Sequence, residues 1–524
     1  MSPHNFSVAP GVALPRSQFK MPHGHKFTMD FDKLYPFFYA EALPGDTWNV
    51  KASALGRLTT PIYPIMDNMR VDVHFFAVPK RLLWENWEKF NGAQDNPGDS
   101  TDFSTPKVTT PAGGFAENEL YDYFGFPTQV AGISNPTNFC GRAYNEIYNQ
   151  YYRDQNIINS ITRDNGDGPD TASNYVLRKR GKRHDYFTTC LPAPQKGPAA
   201  TIPLGTDAPV TGLGKQNAND PTYVNQTAYE TDASTGVNYA KAGLTHNSSD
   251  ALYYEMDPNN SGYPNIRVDL SSASSATVEQ LRNAFTVQQI YEKDQRSGTR
   301  YVEIIRSHFG VVSPDARMQR PEFLGGGKTY VGLQEVPQTS ETNASVTPQG
   351  HVSAFGKTGF KDIGFVKSFT EHCVIVGLIS ATADLTYQQG LNRFFTKDSR
   401  LDYYLPSMAH LGEQAVTNLE IYAQGDSNDD NVFGYQERWA EYRYMPSRVS
   451  GKYRSNATGT LHAYHLSENF GALPTLNQTF IECNTPMDRV LAVSGEPDLY
   501  MDTFFNIIAS RPIPIHSVPG LTRL

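Results

Sequence analysis

The strand-like stretches of this chain lie towards its two ends, and that separation limits what it can fold into. Trp48, Val50, Ala52 and Ala54 face one way against Asn49, Lys51 and Ser53, the period of a half-buried strand. Val71, Val73, Phe75 and Ala77 alternate against Asp72 and His74, and Pro79 stops the run because it has no N–H for a ladder. Strand patterns return from about Asp362, with the β-branched run from Cys373 to Ile379, then Val416 to Tyr422, Leu461 to Leu466 and Met501 to Ile508. Early strands must therefore pair with strands several hundred residues later. That order predicts a mainly β fold, a jelly-roll β-barrel of two antiparallel sheets with long loop insertions and a few short helices.

The intervening sequence divides by composition into segments of one elaborated domain. Residues 1–47 read as an N-terminal arm and interface segment, and 48–192 as the first barrel strands with long loops. Leu83, Trp87 and Phe90 recur at helical spacing, as do Tyr144, Tyr148 and Tyr151, which suggests packed helical faces. Residues 193–270 are rich in Gly, Asn, Thr, Ser, Pro and Asp, with eight acidic against four basic residues, and form a polar insertion. Residues 271–360 are a helical and loop insertion: Thr277-Val278-Glu279-Gln280 fits a capping box, Val278, Leu281, Phe285 and Ile290 supply an apolar stripe, and a second helix over Tyr301, Ile304, Ile305 and Phe309 stops at Gly310. Residues 361–524 hold the remaining strands and a C-terminal arm.

A net charge of -9 argues against a protein that coats nucleic acid over its whole surface, so any such contact is local. Cys140, Cys190, Cys373 and Cys483 stand far apart with no zinc spacing, which fits a reducing compartment. The opening residues lack the pattern of a signal peptide, and no run reaches the roughly 20 apolar residues of a membrane span, so synthesis in a cytoplasm is expected.

Motifs with catalytic or cofactor chemistry do not survive inspection. Gly325-Gly326-Gly327-Lys328-Thr329 resembles the end of a phosphate loop, but Glu322 stands where its first glycine is required, and a flexible turn is expected instead. His23 and His25, and His462 and His465, lack further ligands at a metal spacing. The acidic turns 164–168 and 426–430 lack the phase of a calcium loop. No enzyme activity, cofactor or metal is expected.

Two features point to macromolecular partners. Arg178, Lys179, Arg180, Lys182 and Arg183 crowd into six positions, with Tyr186 and Phe187 just downstream. Such a cluster suits either a phosphate backbone, with the rings stacking on exposed bases, or salt bridges to acids of a neighbouring subunit. The acid-free termini, 1–29 with Arg16, Phe19 and Lys20 and 511–524 with Arg511 and Arg523, read as arms laid over neighbouring subunits.

Residues spread along the chain carry a family resemblance. Arg16-Ser17-Gln18-Phe19, His25 to Asp30, Glu41 to Thr47, Met66-Asp67-Asn68, Lys182 to Phe187, Gly298 to Tyr301, Ser307 to Gly310, Arg320-Pro321-Glu322, Tyr435 to Arg443 and Arg511-Pro512 resemble the major capsid proteins of gokushovirus-type Microviridae. The resemblance implies a viral jelly roll that self-assembles, as sixty copies, into a T=1 icosahedral capsid around the circular single-stranded DNA of a bacteriophage. It implies a virion protein made in the host bacterial cytoplasm, and as partners a small basic DNA-packaging protein, scaffolding and pilot proteins, and the host cell surface. The 193–270 insertion would be a surface protrusion around the three-fold axes. The alternative from the residues alone is a β-sandwich that binds or cleaves carbohydrate.

Overall fold

The computed structural model describes residues 15–200, 210–211, 213–215, 223–224, 252–255, 267–268, 278–312, 319–339, 349–493 and 495–516. The chain separates into two compact units, Met1–Pro194 with Arg296–Leu524, and Gln195–Gln295.

Besides a short parallel pair, Val108–Thr109 with Asp170–Thr171, the described residues of the larger unit hold twelve strands: β1 Ser17–Lys20, β2 His23–Met29, β3 Tyr35–Ala42, β4 Thr47–Leu58, β5 Met69–Pro79, β6 Glu322–Tyr330, β7 Gly332–Pro337, β8 Val352–Ser368, β9 Cys373–Ala383, β10 Glu413–Thr417, β11 Val432–Glu437 and β12 Leu499–Arg511. One sheet runs β1 and β2 together, then β12, β4, β8 and β7, and the other runs β6, β5, β9, β3. All of these pairings are antiparallel. The chain moves from β2 to β3 to β4 to β5 by changing sheet each time, continues beside β5 as β6, and then returns through β7 and β8, β9 and β12. That interlacing is the jelly roll. β10 and β11 form a separate hairpin-like pair outside the barrel.

Alternation determines which faces meet. Trp48, Val50 and Ala52 of β4 and Met501, Phe505 and Ile507 of β12 are buried between the sheets, while Lys51, Leu55, Asp502 and Phe504 point away. Phe505 packs 5.4 Å from Phe37 and 5.0 Å from Phe38 across the sandwich, and Phe75 meets Phe365 at 5.5 Å. Aromatic rings fill the space that a thin aliphatic content leaves. Strands β5 and β9 are buried on both faces, because a second layer covers the outer side of their sheet. Phe76, Val376 and Leu378 there pack with Trp84, Tyr144 and Ile147, the last two from helix α1, Phe139–Ile147. A third cluster holds Tyr186, Phe187, Tyr387, Val416, Ile421, Phe433 and Phe480. Among the described residues the outer side of the β12–β4–β8 sheet has no such cover.

Several local expectations change. Gly325-Gly326-Gly327-Lys328-Thr329 is no loose turn but part of β6, in register with Val71 to Phe75 of β5. A Cβ on Gly325 would fall on the Gly364 carbonyl, and one on Gly327 would meet Ile363 of β8 at 2.6 Å, so the glycines let the two sheets close at this edge. The stretch from Val416 turns helical at Asn418–Ile421, where Thr417 and Glu420 form a capping box. Leu461 to Leu466 carries a 3-10 turn at His462–Tyr464 in place of a strand.

The smaller unit has short antiparallel pairs, Leu213–Lys215 and Tyr223–Val224 each on Leu252–Glu255, and Val210–Thr211 on Arg267–Val268. Helix α2 is described over Val278–Ser297, and Thr277, the expected cap, lies outside the described residues. Its stripe residues Val278, Leu281, Phe285 and Ile290 are exposed, so the periodicity there does not mark a core. In the larger unit, helix α3, Tyr301–Phe309, ends at Gly310 in the left-handed conformation.

Candidate assembly surfaces

The densest basic run is spent within the chain. Arg180 pairs with Asp72 of β5 and donates to Ser380 Oγ at 3.1 Å, while Arg70 holds the other side of Asp72 at 2.7 Å. Burial alone would raise the Asp72 carboxyl, yet these two guanidinium groups hold it below its ordinary value. Lys182 reaches Glu468 at 2.7 Å with its side chain 2% exposed, and lies 4.5 Å from the ring of Phe480. Arg183 pairs with Asp384 at 2.7 Å. Lys179 donates to Asn484 at 3.1 Å and Arg178 to the Asn174 carbonyl at 3.4 Å. Charges that sequence leaves unopposed meet acids brought in from β5 and from residues about two to three hundred positions later.

Tyr186 and Phe187 correct the stacking expectation. Both are buried: Tyr186 donates to Glu420 at 2.7 Å, and Phe187 meets Tyr387 edge-on at 4.8 Å. Burial beside Glu420 also pushes the Tyr186 hydroxyl upwards. Neither ring offers a free face to a base, because the cluster packs this segment against Val416 and Phe433 of the β10–β11 pair.

The described parts of both arms also fold onto their own chain. Phe19 and Lys20 sit opposite Ala509 and Ile508, so β1 supplies the edge partner that the second half of β12 would otherwise lack. Arg16 donates to the Gly45 carbonyl and to Thr47 Oγ1 at 3.3 Å. Arg511 pairs with buried Asp46 at 2.9 Å, over the Trp48 ring, whose Nε1 donates to the same carboxylate at 3.1 Å. Arg523 lies outside the described residues.

The polar turns are internally satisfied. Asp167 accepts from Trp84 Nε1 at 2.7 Å, and Asp429 from the backbone N–H groups of Gln424 and Gly425 at 2.8 and 2.7 Å. His25 Nδ1 lies 3.0 Å from the Phe37 carbonyl, and His465 Nε2 2.6 Å from that of Tyr453. Among the described residues no three metal-ligating side chains converge.

What sequence reasoning missed is an apolar surface over residues 391–445. Phe394 and Phe395 are 67% and 66% exposed, Met445 93%, and Leu401, Tyr403, Tyr404, Leu411 and Tyr442 lie in the open as well. The backbone here passes through 3-10 turns at Arg393–Thr396, Arg400–Asp402 and Pro406–Met408, so no strand or helix period turns these side chains inward. They are nonetheless held. Lys397, its side chain 4% exposed, pairs with Glu441 at 3.1 Å beneath the Tyr442 ring, 4.0 Å away. Tyr404 meets Trp439 at a right angle, 5.6 Å between centroids. Arg393 donates to the Ala415 carbonyl at 2.6 Å and to Glu420 at 3.1 Å. Fixed aromatic side chains in water mark an interaction surface. The signal in the sequence was the pair of doublets Phe394-Phe395 and Tyr403-Tyr404, aromatic without period.

Comparison with known proteins gives this surface its context. A model of the family described as "Capsid protein (F protein)" matches residues 7–521. The chain is 46% identical to the protein named Capsid protein VP1 of Bdellovibrio phage phiMH2K, over 99% of this chain and 97% of that one. It is 45% identical to Capsid protein VP1 of Chlamydia phage 1 and 36% identical to that of Spiroplasma virus 4, in each case over 99% of this chain and 98% of the relative. The carbohydrate-active alternative falls with these matches. With a jelly-roll barrel, an open aromatic surface and end-to-end similarity to phage capsid proteins, the chain belongs to the F-protein family of capsid proteins and is a structural major capsid protein.

Proposed function

We propose that sixty copies of this chain close into a T=1 icosahedral shell around a circular single-stranded DNA genome, with the 391–445 surface buried between neighbouring copies. The exposed aromatic surface carries the reading. Fully burying a Phe or Leu side chain contributes about 1.5–3 kcal/mol, and Phe394, Phe395, Leu401 and Leu411 alone would offset much of the several kcal/mol that association costs. Preorganisation by Lys397, Arg393 and Trp439 lowers the ordering cost further. Synthesis takes place in the host cytoplasm, and a small basic DNA-packaging protein, scaffolding proteins and pilot proteins complete the particle. The 193–270 insertion contacts the host surface; deleting residues 200–265 should spare the shell and reduce attachment.

Sedimentation with negative-stain imaging tests the shell. The native chain, with its partner proteins, should give closed particles of one small diameter. A variant with Phe394→Ser, Phe395→Ser, Leu401→Ser and Leu411→Ser should keep its unfolding midpoint and sediment as free subunits. Normal shells from that variant would move the interface elsewhere, and a native chain that stays monomeric with all partners present would refute the proposal.

A further inference from the structure

The barrel's two outer faces are treated differently by the sequence. One is covered by the layer around Trp84 and Tyr144. The other, formed by β2, β12, β4 and β8, has no covering layer among the described residues, and its outward positions carry cations interspersed with aromatic and apolar groups. Tyr500 of β12, Arg57 of β4 and Lys357 of β8 stand directly opposite one another in one cross-strand row. Phe504 and Ser53 form a second row, and Lys51 follows beside Asn506. Tyr500, Phe504 and Phe355 are 41%, 53% and 40% exposed, an unusual outlay of rings on a solvent face.

Charge on this face runs against that of the whole chain. Lys20, Lys26, Lys51, Arg57, Lys357 and Lys361 stand against Asp502 and Asp362, whereas the chain carries -9 overall. Of those cations only Lys26 makes an ion pair among the described residues, with Asp502 at 3.5 Å. This contrasts with the 178–183 run, where Arg180, Lys182 and Arg183 each pair with an acid of their own chain. Unpaired cations in rows, with rings between them on a rigid sheet, suit a polymer that is anionic along its backbone and has flat apolar faces: single-stranded nucleic acid. A duplex would meet the cations but keep its bases out of reach of the rings.

From these observations we infer that the outer β2–β12–β4–β8 face binds single-stranded nucleic acid through Lys51, Arg57 and Lys357 with stacking on Tyr500 and Phe504. The inference rests on the shell reading for its biological setting, since it makes this face the inner one. Its test does not, because binding is measured on free subunits.

Anisotropy titrations of a labelled oligothymidylate against the full chain, repeated across salt concentrations, provide the test. Lys51→Gln with Arg57→Gln and Lys357→Gln should lower the slope of log K against log salt by about 2, at about 0.7 per phosphate on a single strand, whereas Tyr500→Ser with Phe504→Ser should leave the slope and weaken binding roughly tenfold or more. All five side chains are outward, so unchanged unfolding midpoints are the control for folding. No binding by the native chain, or a slope and affinity indifferent to both variants, overturns the inference. Equal affinity of the native chain for a duplex of the same length overturns the stacking, and variants that bind the oligonucleotide normally yet fail to form shells would make the face a subunit contact instead. If the native chain forms no shells but its binding follows these changes, the shell reading fails and the inference stands.

Discussion

Arg142 and Asp170 face each other as fork and carboxylate, Nη2 to Oδ1 at 2.6 Å and Nε to Oδ2 at 2.8 Å, with side chains 1% and 3% exposed. Arg142 also donates from Nη1 to the Leu83 carbonyl at 2.8 Å, and Asn138 donates to Asp170 at 2.6 Å. Three segments distant in sequence are thereby tied into the layer over the β5–β9 sheet. Removing one partner strands a buried charge, so Asp170→Asn should lower unfolding free energy by about 3–5 kcal/mol in a denaturant titration of free subunits. The double replacement Arg142→Met with Asp170→Leu should recover most of that loss. A single variant within about 0.5 kcal/mol of native would show the pair to be dispensable.

Gly364 tests how closely the barrel strands approach. It lies opposite Lys51 just past the bulge between Phe360 and Ile363, and a Cβ there would collide with the Val50 carbonyl, which is main chain and cannot step aside. Gly364→Ala should cost about 2–3 kcal/mol or more, read as a lowered thermal midpoint. Gly113→Ala, where an added Cβ meets nothing within 4 Å, is the control and should change little.

The alternations at Trp48–Ala54, Val71–Ala77 and Met501–Ile508 are all strands; on β4 and β12 an inward apolar face on a one-sided sheet leaves a period of two, and on β5 the polar Asp72 and His74 keep it although both faces are buried. The opposition of early and late strands was legible from their spacing alone. What escaped was whatever depends on non-local partners. Nothing beside Arg180 or Lys182 in sequence announces Asp72 or Glu468, so a cluster that is neutralised in space looks free on paper. Nor does an aromatic next to a basic run reveal its burial: Tyr186 is inside, whereas Phe394, beside Arg393, is outside. Strand β6 hid behind its glycines, which propensity assigns to turns and packing assigns to a sheet edge.

His74 and Asp498 carry opposed pH dependences. Burial, with Arg180 nearby, lowers the His74 imidazole from 6.5 to about 4, and its Nδ1 lies 2.7 Å from the Tyr152 hydroxyl. Between pH 6.5 and 4 the unfolded chain takes up that proton first, so stability from His74 is full above about 6.5 and is lost as pH falls. Asp498, which accepts from the Phe31 N–H at 2.8 Å, is raised by burial from 3.8 to about 6. Here the unfolded chain loses its proton first, so stability is full below about 3.8 and is lost as pH rises towards 6. Relative to the native chain, His74→Gln should therefore lose stability from pH 4 to 6 and Asp498→Asn should gain it over the same range, each by roughly 1–3 kcal/mol. Urea titrations at half-unit pH steps measure both slopes, and parallel curves for the native chain and the two variants would show that neither group titrates as its burial dictates.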